Sequence, residues 1–160
     1  MRRTIVFPLL FMAAGLVFGG QSRDGIVKVE AGVNPLRLVR GEEGKIILKI
    51  TVKNGIVVSP QPSFIIEFEP NDTLVFPKPF YTASDLNVDI VDDKGREGLS
   101  FKKPLEIPFT VAPKASRGVH VLQGKVKFYA ISKSEGWCLK STTRFRATYS
   151  TRTGPVKIQL

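Results

Sequence analysis

The sequence offers one cysteine and one histidine in 160 residues. A lone cysteine excludes a disulfide within the chain, and His120 by itself cannot build a His-rich metal site or most Ser-His-Asp arrangements. With Val119 and Val121 on either side, it reads as a strand histidine. No phosphate-binding glycine loop, nucleophile elbow or pair of catalytic carboxylates can be read with any specificity. Asp89, Asp92 and Asp93 lack the alternating ligands and terminal Glu of a calcium loop, so a solvated turn is expected there. Long helices are missing too, because 14 Gly and 11 Pro punctuate the chain throughout. The composition points away from an enzyme, and no metal or cofactor is expected.

Acidic side chains are scarce in one region. Residues 23–113 carry 12 basic and 13 acidic groups, whereas residues 114–160 carry 10 basic groups and only Glu135. The whole positive excess lies in the last third of the chain. Such a face either serves solubility or attracts an anionic partner. Nucleic acid is not the expected one: no helix-turn-helix, zinc-finger or RNA-binding signature is present, and the N-terminus reads as an export signal.

That signal consists of Arg2 and Arg3, an apolar stretch from Thr4 to Phe18, and small residues after it. Val17 and Gly19 occupy the third and first positions before a cut, so residues 1–19 are expected to be removed and residues 20–160 to form one domain. An uncleaved anchor is the alternative, although the stretch is interrupted by Pro8 and falls short of the roughly twenty residues of a bilayer span. No cysteine follows the apolar run, which excludes a lipoprotein anchor. The expected location is a bacterial periplasm or the exterior.

In the remaining chain the apolar residues recur with a period of two, the signature of half-buried strands. Ile46, Leu48, Ile50 and Val52 alternate with Ile47, Lys49 and Thr51, and Leu105, Ile107, Phe109 and Val111 with Glu106, Pro108 and Thr110. Gly124, Val126, Phe128 and Ala130 oppose Lys125, Lys127 and Tyr129, while Phe145, Ala147 and Tyr149 oppose Arg144, Arg146 and Thr148. Further runs at 25–30, 63–69, 74–76, 86–91 and 156–160 fill the gaps. Turn chemistry separates them at Lys53-Asn54-Gly55, Pro70-Asn71-Asp72 and Asp93-Lys94-Gly95. Pro77 and Pro79 mark an edge or irregular stretch. The expected fold is all-β, an immunoglobulin-like antiparallel β-sandwich of about seven to nine strands.

The segment from Gly124 to Tyr149 is the most specific. A strand with Tyr129 leads into a short polar loop, then Gly136-Trp137-Cys138, then a returning strand. Here the sequence resembles the N-terminal periplasmic domain of the thiol:disulfide interchange protein DsbD, with a looser likeness over residues 25–111 that takes in Phe76-Pro77-Lys78-Pro79. The resemblance implies an immunoglobulin-like domain that exchanges electrons with a thioredoxin-like partner through two cysteines. Cys138 matches the second of these. The first is replaced by Ser132 or by Ile131, depending on the spacing, and neither can resolve a mixed disulfide. The aromatic-bearing loop that shields the cysteines in that family would fall near Asn54 to Val58, which holds no aromatic ring.

Cys138 is therefore either a small buried hydrophobe, an accessible thiol favoured as thiolate by Lys133 and Lys140 and able to join a partner's cysteine, or a position without a role. Trp137 reads as a packing anchor at the loop base or a partner contact. Pairing Phe128 with Phe145 in the core would set Lys127 opposite Arg146, with Lys125 and Arg144 beside them. These four cations are expected to form a docking face for an acidic protein surface or an anionic envelope polymer. The function expected is thus a noncatalytic or degenerate relative serving protein interaction, with mixed-disulfide chemistry at Cys138 or polymer binding as alternatives.

Overall fold

A computed structural model describes residues 25–61 and 63–154. They form twelve strands and no helix: β1 (Val27–Asn34), β2 (Arg37–Val39), β3 (Glu43–Val52), β4 (Ile56–Val58), β5 (Ile65–Phe68), β6 (Leu74–Val75), β7 (Phe80–Thr82), β8 (Asp89–Asp93), β9 (Arg96–Ser100), β10 (Leu105–Val111), β11 (Gly118–Ser132) and β12 (Cys138–Arg152). One sheet has the order β1-β3-β10-β6, and the other has β2-β12-β11-β5-β7 with β4 also on β11; β8 and β9 make a separate hairpin. The architecture is an all-β, immunoglobulin-like sandwich. The strand expected at 156–160 and the expected export signal fall outside the described residues.

The four strict alternations sort as their periodicity requires. Leu105, Ile107, Phe109 and Val111 are buried while Glu106, Pro108 and Thr110 are exposed, and β3, β11 and β12 divide the same way. The inner faces meet around Leu38, Ile46, Leu48, Ile66, Ile107, Leu122 and Val126, all fully buried. Burying each such side chain stabilises the fold by about 1.5–3 kcal/mol. Two of the expected turns form, whereas Asp89, Asp92 and Asp93, expected in a solvated turn, lie in strand β8 with their side chains exposed. Lys94 and Gly95 take positive φ values of 55° and 80° in the β8–β9 hairpin, and Asn71 Oδ1 accepts from Thr73 N at 2.7 Å and Leu74 N at 3.0 Å. Pro77 and Pro79 lie in an irregular stretch between β6 and β7.

Four short strands, β2, β4, β7 and β9, were not expected. Each runs three to five residues, too short for a period to declare itself, and long-range pairing creates them. β2 pairs with β12 in parallel, so the sandwich is not wholly antiparallel. β8 begins at Asp89; Leu86 and Val88 belong to the preceding turn, where Leu86 N donates to Thr82 O at 3.3 Å. Residues 56–58 are not a shielding loop but strand β4, laid against Ala130, Ile131 and Ser132.

The register of the long hairpin differs from the one expected. Phe145 lies opposite Gly124, not Phe128, and Phe128 lies opposite Ser141. The reason is volume. The Phe145 ring occupies the space above Gly124, where an added Cβ would come within 2.5 Å of its Cζ. The other sheet repeats the device, with Phe109 opposite Gly44 and the same 2.5 Å clearance. A ring folded over a facing glycine fills the hole that glycine leaves in a strand. Phe68 and Phe76 complete the aromatic seam between the sheets, stacked at 4.2 Å, with Phe145 and Phe109 5.8 and 6.2 Å from them respectively.

Candidate functional site

The β11–β12 hairpin turns through residues 133–137. Ser132 N donates to Trp137 O, Gly136 N to Ser132 O, and Glu135 N to Ser132 Oγ, and Gly136 supplies the left-handed φ of 68° that the turn requires. Ser132 faces inward and is 3% exposed. Ile131 faces outward and lies directly opposite Cys138. The position facing the thiol is thus Ile131 and not Ser132.

Cys138 is exposed, which removes the reading of it as a small buried hydrophobe. One of the two expected cations is also diverted, because Lys133 Nζ forms its ion pair with Asp93 on the β8–β9 hairpin. Lys140, two residues along β12, shares the outer face with Cys138. Trp137 is half-buried and packs against the core, and its Nε1 donates to Glu135. It walls a cleft of about 430 Å³ whose other side is the turn from Lys53 to Ile56. His120 is a strand residue: Nε2 lies 2.7 Å from Thr151 Oγ1 and 2.9 Å from Ser116 O, and the ring stacks on Tyr149.

The basic patch is built differently from the expected one. Lys125 faces Arg144, Gln123 faces Arg146, and Lys127 faces Thr142. Glu67 on β5, which the hairpin alone does not reveal, sits opposite Lys125 and binds both lysines, at 3.3 Å to Lys125 Nζ and 2.8 Å to Lys127 Nζ. These two are therefore not free cations. Lys140, Arg144 and Arg146 project from the outer face of β12 and make no ion pair among the described residues. Glu67 offsets one of the two lysine charges on β11, so the excess positive charge is weighted toward the row along β12 and not shared equally by both strands.

Glu67 gives this face a pH dependence. Hydrogen bonding from Lys127, with Lys125 adding to it, holds the carboxyl below its ordinary value of 4.5. A lowered folded-state pKa contributes stability that is present above the unfolded value and lost as pH falls through the folded one. The pair is partly exposed, so its worth is no more than about 1 kcal/mol. Glu67→Gln is expected to lower the melting midpoint slightly at pH 7, with the difference from the parent closing below pH 4.5. A difference that persists undiminished in acid would show that packing, not charge, is responsible.

No family model and no curated protein matches the chain. Among solved structures, the major pilin subunit BcpA of Bacillus cereus aligns at 10% identity with a TM-score of 0.44, over 79% of this chain and 40% of the pilin. The chain thus spans less than half the length of that protein. The seventh ScaB type I cohesin of Pseudobacteroides cellulosolvens aligns at 12% identity and a TM-score of 0.38, covering 82% of this chain and 97% of the cohesin. A Clostridium thermocellum cohesin, from the Coh-OlpC-Doc435 complex, aligns at 14% identity and 0.39, over 81% and 96%. At these identities the likeness is one of shape.

Proposed function

We propose that this chain is an exported binding module on the plan of the DsbD N-terminal domain, docking an acidic protein partner through the outer face of its long hairpin without itself performing thiol:disulfide interchange. The observation that carries this reading is the row of Lys140, Arg144 and Arg146 on β12, which make no ion pair among the described residues, beside two lysines that share the single carboxylate of Glu67. Like charges held on one face repel one another, and a complementary partner relieves that repulsion and speeds encounter. The module does not act as a shuttle because the residue facing Cys138 is Ile131, which cannot resolve a mixed disulfide.

Exposure of Cys138 at the end of the same row favours a second reading, in which a docked partner bearing a cysteine is held by a mixed disulfide. Immobilised mature protein, challenged with envelope extract, separates the two. Capture by charge is expected to fall as salt rises and to be lost in the Lys140→Gln/Arg144→Gln/Arg146→Gln variant. Capture unchanged in that variant overturns the docking face. Reductant-sensitive capture that disappears in Cys138→Ser would support the covalent reading, and capture indifferent to both would reject it.

A further inference from the structure

Strand β12 is paired along one edge by β11 and, among the described residues, along the other only at its end by β2. Ser132 N donates to Trp137 O at 2.9 Å, which sets the alternation: odd-numbered β12 residues turn their N–H and C=O toward β11, and even-numbered ones turn theirs away. Ser150, on the even side, accordingly donates its N–H to Leu36 O at 2.9 Å, where β2 covers the end of the strand. From Cys138 to Thr148 no strand pairs with this edge among the described residues.

β1 runs alongside but belongs to the other sheet. Its own pairing follows the same logic. Lys53 N donates to Ile26 O at 2.9 Å, so Val27, Val29 and Ala31 turn their backbone groups toward the seam, and Thr143 Oγ1 donates to Val27 O across it at 3.2 Å. Between the two strands lies an open groove of about 480 Å³, with Val29, Ala31 and Phe145 along it and Arg144 and Arg146 at its rim. Glu30, also on the rim, is held by Lys28 at 2.8 Å.

We propose that this open edge is a strand-addition site for an extended acidic segment of a partner protein. The segment's backbone pairs with the even-numbered residues from Lys140 to Thr148, and its alternate carboxylates face Lys140, Arg144 and Arg146. The inference rests on the docking-face reading and names the form the partner takes. Outward side chains on a strand repeat about every 6.8 Å, so a segment with an acid at every second position matches the basic row, while its intervening apolar residues turn toward the groove. The charges also decide against a second copy of this chain. Two β12 edges brought together would set cation against cation, which is how exposed edges are kept from self-pairing. An acidic strand reverses that sign, and main-chain pairing then adds affinity that charge alone does not provide.

The test uses mature protein and a labelled twelve-residue peptide of alternating Glu and Val, with a Lys and Val peptide as control. A third peptide keeps the Glu and Val sequence but is N-methylated at alternate residues, removing the amide hydrogens that would face β12. The unmodified acidic peptide is expected to bind, the basic one not to, and methylation to weaken binding tenfold or more. Thr142→Pro removes an edge N–H without touching the β11 ladder and is expected to weaken binding to a similar degree; should it fail to fold, the methylated peptide decides. Equal binding of the methylated peptide overturns strand addition while leaving the charged docking face standing. No binding of the acidic peptide, with salt-sensitive capture of folded partners retained, has the same consequence. Binding that Arg144→Gln/Arg146→Gln leaves unchanged overturns both readings.

Discussion

Ile131→Cys is expected to close a disulfide with Cys138, whereas Ser132→Cys is not. Residues 131 and 138 face each other across the hairpin, and the bond from Ser132 N to Trp137 O assigns them to the site without hydrogen bonds, where Cα atoms lie about 4.5 Å apart. That separation falls within the roughly 4.4–6.8 Å that a disulfide spans, and both side chains leave the same face. Ser132 points to the opposite, inner face, where its Oγ accepts from Glu135 N at 3.2 Å. Linking 131 to 138 closes a loop of eight residues, and the chain-entropy relation gives a stabilisation of roughly 2.5 kcal/mol. Thiol counting under native oxidising conditions and a reductant-dependent shift in the melting midpoint measure it. A bond formed in Ser132→Cys but not in Ile131→Cys would place the hairpin register one residue away from that described. The parent chain is expected to give no catalytic turnover of a small disulfide substrate, because no second thiol expels the partner.

Gly124→Ala is expected to be among the most destabilising single-methyl additions in the chain, by about 2–3 kcal/mol or more. The new Cβ would meet Phe145 Cζ at 2.5 Å, and also Glu67 O at 2.7 Å. The ring can be shortened, but the carbonyl belongs to the β5 ladder and cannot withdraw without opening the pairing. Phe145→Leu in the same chain should therefore recover only part of the loss. Chemical denaturation of the two single variants and the double variant measures this. Full recovery would show that the ring alone sets the limit, and no loss in Gly124→Ala would contradict the register itself. The effect reaches the candidate site, because Glu67, Lys125 and Arg144 share the neighbouring row of the sheet.

Sequence alone determined the sandwich class. Strands β3, β10, β11 and β12 alternate over enough residues for a two-residue period to stand out, and turn chemistry at Asn71 and at Lys94-Gly95 is local by nature. It also located Cys138 and its hairpin and the excess of positive charge, since these depend on identity and short spacing. It did not determine which residues face each other. Register depends on how rings fill space between strands, so Phe145 could be matched to Gly124 only once the packed hairpin was in view. It did not place Glu67 beside Lys125 and Lys127, because 60 residues separate Glu67 from Lys127 and the pairing of β5 with β11 alone joins them. Nor could it show that Lys133 is taken by Asp93 while Lys140, Arg144 and Arg146 make no ion pair among the described residues. Composition counts charges; the sheet decides which of them are already neutralised, because an ion pair needs contact within a few ångströms and only the folded chain brings distant carboxylates that close.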